Sequence, residues 1–291
     1  MFSSPRRERL RIGREISRGA FGTVYSGTLG GKPVAVKEIH RLLLEYASEN
    51  QEDLEVVLSG FRYECELLET AKHDNVVEFL GVFNRDGRTL LVMERMEGTL
   101  DTFLRENRGN LSQKRQIEIC EQIVSGLLFL HQHDPQILHR DLTAKNVLMN
   151  REDSVVKITD LGQAKFRPSS ISYLSTMVPG CVLYMPPECL VEFANDRGSN
   201  ARARFTDKGD IFSLGVLMLQ VATQVQTSCG YVIVRGQREV DRRAADLAKL
   251  PPDHPLWPLI LQCLEDYPNE RPSCIEVKNY FLATQVHLNN I

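Results

Sequence analysis

The stretch His139-Arg140-Asp141-Leu142-Thr143-Ala144-Lys145-Asn146 decides how this chain is read. It places a carboxylate, an ammonium group and a carboxamide within one loop, flanked by strand-like pieces at Ile137-Leu138, Val147-Leu148 and Val155 to Ile158. Asp141 can accept a proton from a hydroxyl, Lys145 can balance phosphate charge, and Asn146 can bind a hard cation. Just downstream, Thr159-Asp160-Leu161-Gly162 ends a strand with a second carboxylate. Asp160 and Asn146 together offer oxygen ligands suited to magnesium.

Upstream, Val34-Ala35-Val36-Lys37 reads as a strand. Alternation puts Ala35 and Lys37 on one face and Val34 and Val36 on the other. A lysine on a covered face needs an anionic partner; on an open edge it serves as a guard against aggregation. Glu64 is a candidate partner, because it lies in a helical pattern with Phe61, Leu68 and Ala71. Before that strand comes Ile16 to Val24, ISRGAFGTV. Gly19 and Gly22 would let backbone N–H groups approach a phosphate with no Cβ in the way. Taken alone, the two glycines fit a plain turn equally well.

Around these segments the pattern divides in two. Thr23 to Thr28 and Lys32 to Ile39 flank Gly30-Gly31, a hairpin signal. A helix is expected at 61–71, then strands Val76 to Phe83 and Thr89 to Met93 joined at Asp86-Gly87. After Gly98 the character becomes helical, with Ser112 expected to cap a long helix carrying Ile117, Cys120, Val124, Leu127 and Leu128. Ile211 to Ala222 reads as a buried helix too short to span a bilayer. A small sheet-rich half joined near Glu94 to Gly98 to a larger helical half is an α+β arrangement, and such a junction is a natural place for a cleft.

The bulk properties set bounds. With 291 residues, 42% hydrophobic and 25% charged, the chain can bury a large core unaided. A net charge of −3 gives no electrostatic reason to expect nucleic acid or an anionic membrane as partner. Its seven cysteines are scattered without metal-binding spacing, which suits reduced thiols and a cytoplasmic setting. No signal segment or N-myristoylation pattern opens the chain, and residues 1–9 read as a basic tail.

Taken in order, these segments resemble the protein kinase signature set: glycine loop, strand lysine, helix glutamate, H-R-D loop and D-x-G metal site. Met185-Pro186-Pro187-Glu188 is similar to the A-P-E element, Asp210 to the aspartate heading the central helix of the large lobe, and Asn269 to Ser273 to the R-P-S element. The resemblance implies a two-lobed protein kinase fold over 10–285, with a small β-rich N-lobe at about 10–93, a hinge at about 94–98 and a mainly helical C-lobe at about 99–285. It implies ATP as cofactor with magnesium, manganese being an alternative ion. By resemblance, Ser17, Gly19, Phe21 and Gly22 belong to the loop over the phosphates, and Val24, Ala35 and Leu148 enclose the adenine. Glu94 and Met96 would offer main-chain hydrogen bonds, with Met93 as gatekeeper. Lys37, positioned by Glu64, would hold the phosphates. Asp141 would be the catalytic base, Lys145 the neutralising cation, and Asn146 and Asp160 the metal ligands. Phe79, Leu68, Leu161 and His139 would form a packed column, and Glu188 would pair with Arg271. The implied partners are protein substrates, ATP and an upstream kinase acting on the hydroxyls of Ser169, Ser170, Ser172, Tyr173, Ser175 and Thr176.

The chain departs from the pattern in places. Ser17 stands for the first loop glycine and Leu161 for the usual phenylalanine, and insertions lie near 41–60 and 195–205. Thr143 occupies the position of the Ser/Thr-kinase lysine, while Lys145 resembles the tyrosine-kinase pattern. Gly180 to Met185 is closer to Ser/Thr kinases. This mixture resembles the tyrosine-kinase-like group, so a Ser/Thr acceptor is expected. Tyrosine specificity and a pseudokinase scaffold are the alternatives. A dinucleotide-binding enzyme would need a helix after the glycine loop, where a strand is expected.

Overall fold

The computed structural model describes residues 10–18, 22–39, 65–85, 88–150, 152, 154–161, 183–189, 205–225, 231–232, 240–241 and 246–288. The chain forms two compact units. One comprises Met1–Glu97 with Asp160–Ser175, the other Gly98–Thr159 with Thr176–Ile291.

The first unit is built on a five-stranded antiparallel sheet. Its strands are β1 (Arg11–Arg18), β2 (Gly22–Leu29), β3 (Lys32–Ile39), β4 (Phe79–Arg85) and β5 (Arg88–Glu94), in the order β1-β2-β3-β5-β4. The β2–β3 hairpin turns at Gly30 and Gly31, with φ of 58° and 87°. Both angles lie in the left-handed region that the tight hairpin turn requires and glycine tolerates. Val34 and Val36 are buried with Leu10, Leu29, Leu90 and Val92 in the core of the sheet. The alternation expected for 34–37 therefore holds, and one sheet face is sealed by β-branched and leucine side chains. Helical turns at 65–70 carry buried Leu67 and Leu68. The strand expected from Val76 begins instead at Phe79, because the Val76 N–H donates to the His73 carbonyl in a turn.

The second unit is mainly helical. α1 (Leu100–Glu106) follows the two-residue β6 (Gly98–Thr99), and α2 spans Gln113–Gln132. Ser112 caps α2 as expected, its side chain accepting from the Arg115 N–H at 3.3 Å. β7 (Val147–Met149) pairs with β6 and β8 (Val156–Ile158). α3 (Asp207–Thr223) is buried from Gly209 to Ala222, so it forms the axis of the core. Such burial all round explains its near-continuous apolar sequence. Short strands β9 (Tyr231–Val232) and β10 (Val240–Asp241) pair with each other, and α4 (Trp257–Cys263) and α5 (Cys274–Leu288) complete the unit. Ile137-Leu138 is not a strand. The Ile137 N–H goes to the Leu130 carbonyl at 3.0 Å and that of His139 to a carboxylate, so this segment is tied to helices rather than to a sheet.

Candidate active site

The expected site residues fall into two groups, one in each unit. In the first unit β3 delivers Lys37, whose register partners are Val24 on β2 and Leu91 on β5. Its Nζ lies 3.0 Å from Asp160 Oδ1, linking positions 123 residues apart. The Lys37 side chain is 14% exposed and that of Asp160 39%. This ion pair is within reach of water, so it can exchange for other charged groups at modest cost. Asp160 has φ of 65°, a left-handed backbone that costs a non-glycine residue about 1–3 kcal/mol and is found where a side chain must be aimed. Leu161 behind it is 1% exposed and Leu68 2%, consistent with packed slots for both. Glu64, Gly19 and Phe21, expected at this site, lie outside the described residues.

The remaining small-unit candidates are placed by the sheet. Ser17 lies on β1 opposite Val24, and Ala35 on β3 lies between Ser26 and Met93. Gly22 opens β2 and Met93, 7% exposed, nears the end of β5. Glu94 ends β5. Its N–H donates to the Glu78 carbonyl at 3.0 Å and its Oε1 accepts from the Glu78 N–H at 2.6 Å. Met96 is 8% exposed. The sequence reading missed Ile16, an apolar side chain on β1 that is 49% exposed. Its place directly before Ser17, in a strand otherwise polar around it, was the available signal.

In the second unit the H-R-D loop is held by buried bonds. Asp210 in the first turn of α3 is fully buried. Its Oδ2 accepts from the His139 N–H at 2.8 Å and its Oδ1 from the Arg140 N–H at 2.8 Å. His131, near the end of α2, adds its Nε2 at 2.9 Å from Oδ2. These bonds fix a strained turn, since Arg140 has φ of 65°. His131 was not foreseen; its signal was a helical position in register with buried Val124 and Leu127. The His139 ring is fully buried: Nε2 donates to the Thr159 carbonyl at 3.0 Å and Nδ1 accepts from the Asp141 N–H at 3.3 Å.

Beyond this turn Asp141 and Asn146 meet. Asn146 Nδ2 donates to Asp141 Oδ2 at 2.9 Å and to the Asp141 carbonyl at 2.8 Å. That orientation presents the Asn146 amide oxygen away from Asp141, as a hard donor. Lys145 is exposed, so its ammonium is accessible to an anion. Thr143 is 6% exposed and takes no such position. Leu148 lies on β7 opposite Thr99 and Lys157. The loop is braced further by Tyr184, whose hydroxyl accepts from the Ala144 N–H at 3.3 Å and donates to Gln220 Oε1 at 2.6 Å. Burial pushes the Tyr184 phenol far above its ordinary range, which keeps it a neutral donor. Arg271 is 2% exposed and meets both Glu188 carboxylate oxygens, at 2.8 and 2.7 Å, as expected.

Among the described residues no group of three or more His, Cys, Asp and Glu side chains could hold a metal ion. Asp160, in the first unit, carries a carboxylate, and Asn146, in the second, an amide oxygen; both are oxygen donors of the kind hard cations take.

Residues 10–281 match the family described as protein tyrosine and serine/threonine kinase. A leucine-rich repeat receptor protein kinase of Arabidopsis thaliana is 36% identical over 214 residues, which is 72% of this chain and 16% of that protein. The dual specificity protein kinase shkC of Dictyostelium discoideum is 27% identical over 276 residues, 94% of this chain and 51% of that protein. A probable serine/threonine-protein kinase of the same organism is 26% identical over 281 residues, 94% of this chain and 28% of that protein. The chain thus spans less than two thirds of the length of each of these relatives.

Proposed function

Because the chain belongs to the protein tyrosine and serine/threonine kinase family, we propose that it transfers the γ-phosphoryl group of magnesium-bound ATP to protein hydroxyls. The observation that carries this reading is the Lys37–Asp160 pair at 3.0 Å, an ammonium and a carboxylate joined across 123 residues. Phosphoryl transfer passes through a loose transition state, so the protein has little covalent chemistry to do and works by positioning and charge stabilisation. A divalent ion, when bound, neutralises charge on the phosphate oxygens; Asn146 and Asp160 are the residues that would hold it.

The chain's own groups do the rest. The Lys37 ammonium turns from Asp160 towards the phosphates, and Lys145 supplies a second positive charge. Asp141, with Oδ2 held by Asn146, would orient the acceptor hydroxyl and take its proton. That proton transfer can be late, so no shifted pKa is needed. In the first unit Val24 and Ala35, with Ile16 added, would present apolar surface to the adenine. The carbonyl of Glu94 and the main chain of Met96 supply its hydrogen bonds.

Serine and threonine are the preferred acceptors, supported by the names of the relatives; the dual specificity relative favours tyrosine as a second acceptor. Arg140 would receive a phosphate from the segment carrying Ser169 to Thr176, which lies outside the described residues. If alanine at all six hydroxyls left kcat unchanged, that switch would be absent. The five buried cysteines among the described residues suit a cytoplasmic setting. Incubation with labelled ATP, magnesium and a degenerate peptide library tests the reaction and reads the acceptor. Label on serine or threonine is the expected result. A library with no label, from folded protein, would favour a scaffold.

A further inference from the structure

Away from the catalytic loop, the second unit holds a buried imidazole with both nitrogens engaged. His254 is 7% exposed. Its Nδ1 accepts from the Leu256 N–H at 3.1 Å, so that nitrogen carries no proton. Its Nε2 lies 2.9 Å from Gln116 Oε1. The Gln116 amide is oriented independently, because its Nε2 donates to the Leu111 carbonyl at 3.1 Å and thereby presents Oε1 to the ring. The same carbonyl takes a bond from Gln224 Nε2 at 3.2 Å, while the Leu111 N–H donates to Gln224 Oε1 at 2.9 Å. Gln224, with φ of 52°, is the left-handed residue that ends α3. Hydrogen bonds thus tie the segment entering α4 to the first turn of α2, the loop before it and the end of α3. The donor sense of each link leaves one protonation state for the ring, the neutral Nε2–H tautomer.

We propose that His254 is an acid-sensitive clasp: protonation at Nδ1 sets a donor against the Leu256 N–H, breaks the bond leading into α4 and loosens the junction of α2, α3 and α4. The groups facing the ring fit this reading. Asp253, on its own segment, is the charged neighbour that favours protonation. From α2 the facing group is the uncharged amide of Gln116, α3 reaches it only through Gln224 bonded to the Leu111 backbone, and α4 follows its N-cap Leu256. α5 reaches the segment through Tyr280, whose neutral phenol donates to the Pro255 carbonyl at 2.6 Å. Burial outweighs Asp253 and holds the imidazole below its ordinary range. The sign follows: the unfolded chain binds a proton at pH values where the folded clasp does not. Stability is therefore full above about pH 6.5 and declines as pH falls from there towards the folded value.

The test uses the full chain and His254→Asn. The introduced amide can still accept from the N–H two residues on, but it does not titrate. In nitrogen NMR the wild-type ring is expected as the Nε2–H tautomer, titrating below the free imidazole. Going from pH 7.5 to 5.5 should lower the wild-type unfolding midpoint by about 2–4 °C more than that of the variant, and should speed exchange of the Leu256 and Trp257 amides in the wild type alone. An Nδ1–H tautomer, an ordinary titration midpoint, or equal losses in both proteins would overturn the proposal. If the variant fails to fold, the wild-type ring titration decides by itself.

Discussion

Asp160 and Asp210 are two aspartates placed in opposite ways. Asp160 has a side chain 39% exposed and meets the lysine of its own unit near solvent. Asp210 is fully buried and gathers two backbone N–H groups and an imidazole. The contrast separates groups that must change partners from groups that must not. A surface ion pair is worth about 0–1 kcal/mol, and this partly exposed one is close enough to water for Lys37 to exchange Asp160 for another anion. A buried carboxylate with satisfied donors is expensive to disturb, because each orphaned donor costs about 1–3 kcal/mol. Asp210 thereby keeps Arg140 in its strained turn, directly before Asp141.

The largest expected effect breaks the exposed side of this comparison. Lys37→Met and Asp160→Ala should each lower kcat by about 10³-fold, as loss of one electrostatic group at a reacting centre does. Their unfolding midpoints should stay near that of the wild type, since a solvated pair adds little stability. Steady-state kinetics beside a thermal scan check both halves of the statement. Asp210→Asn should behave differently. It removes a charge from three donors in a dry site and should cost about 3–5 kcal/mol in urea unfolding, with activity falling alongside. The smallest effect concerns the loop entrance. Ser17→Gly should lower the KM for ATP by about two- to fivefold, through easier approach of the main chain to phosphate; an unchanged KM would remove Ser17 from the site.

How much of this was readable from residues follows the same division. The order of β2, the Gly30-Gly31 turn and β3 was legible because alternation and turn chemistry are local. The Glu188–Arg271 pair and the role of Asp210 came from motif order, since nothing local says that residues far apart meet. His131 was missed: a histidine on an inward helix face looks like any core residue until its carboxylate partner is located. Ile137-Leu138 was misread as a strand because an apolar pair says nothing about where its N–H groups go, and here the Ile137 N–H goes to the end of a helix while the next residue, His139, is tied to Asp210. Ile16 escaped notice because an exposed isoleucine on an edge strand needs no explanation until a ligand is considered.

The most direct test is single-turnover transfer from labelled ATP by the wild type and by Asp141→Asn, with unfolding midpoints measured on the same samples. Transfer should fall by about 10²–10⁴-fold in the variant while its midpoint stays near that of the wild type. Undiminished transfer by a folded Asp141→Asn protein would contradict the assignment of this loop as the reacting centre.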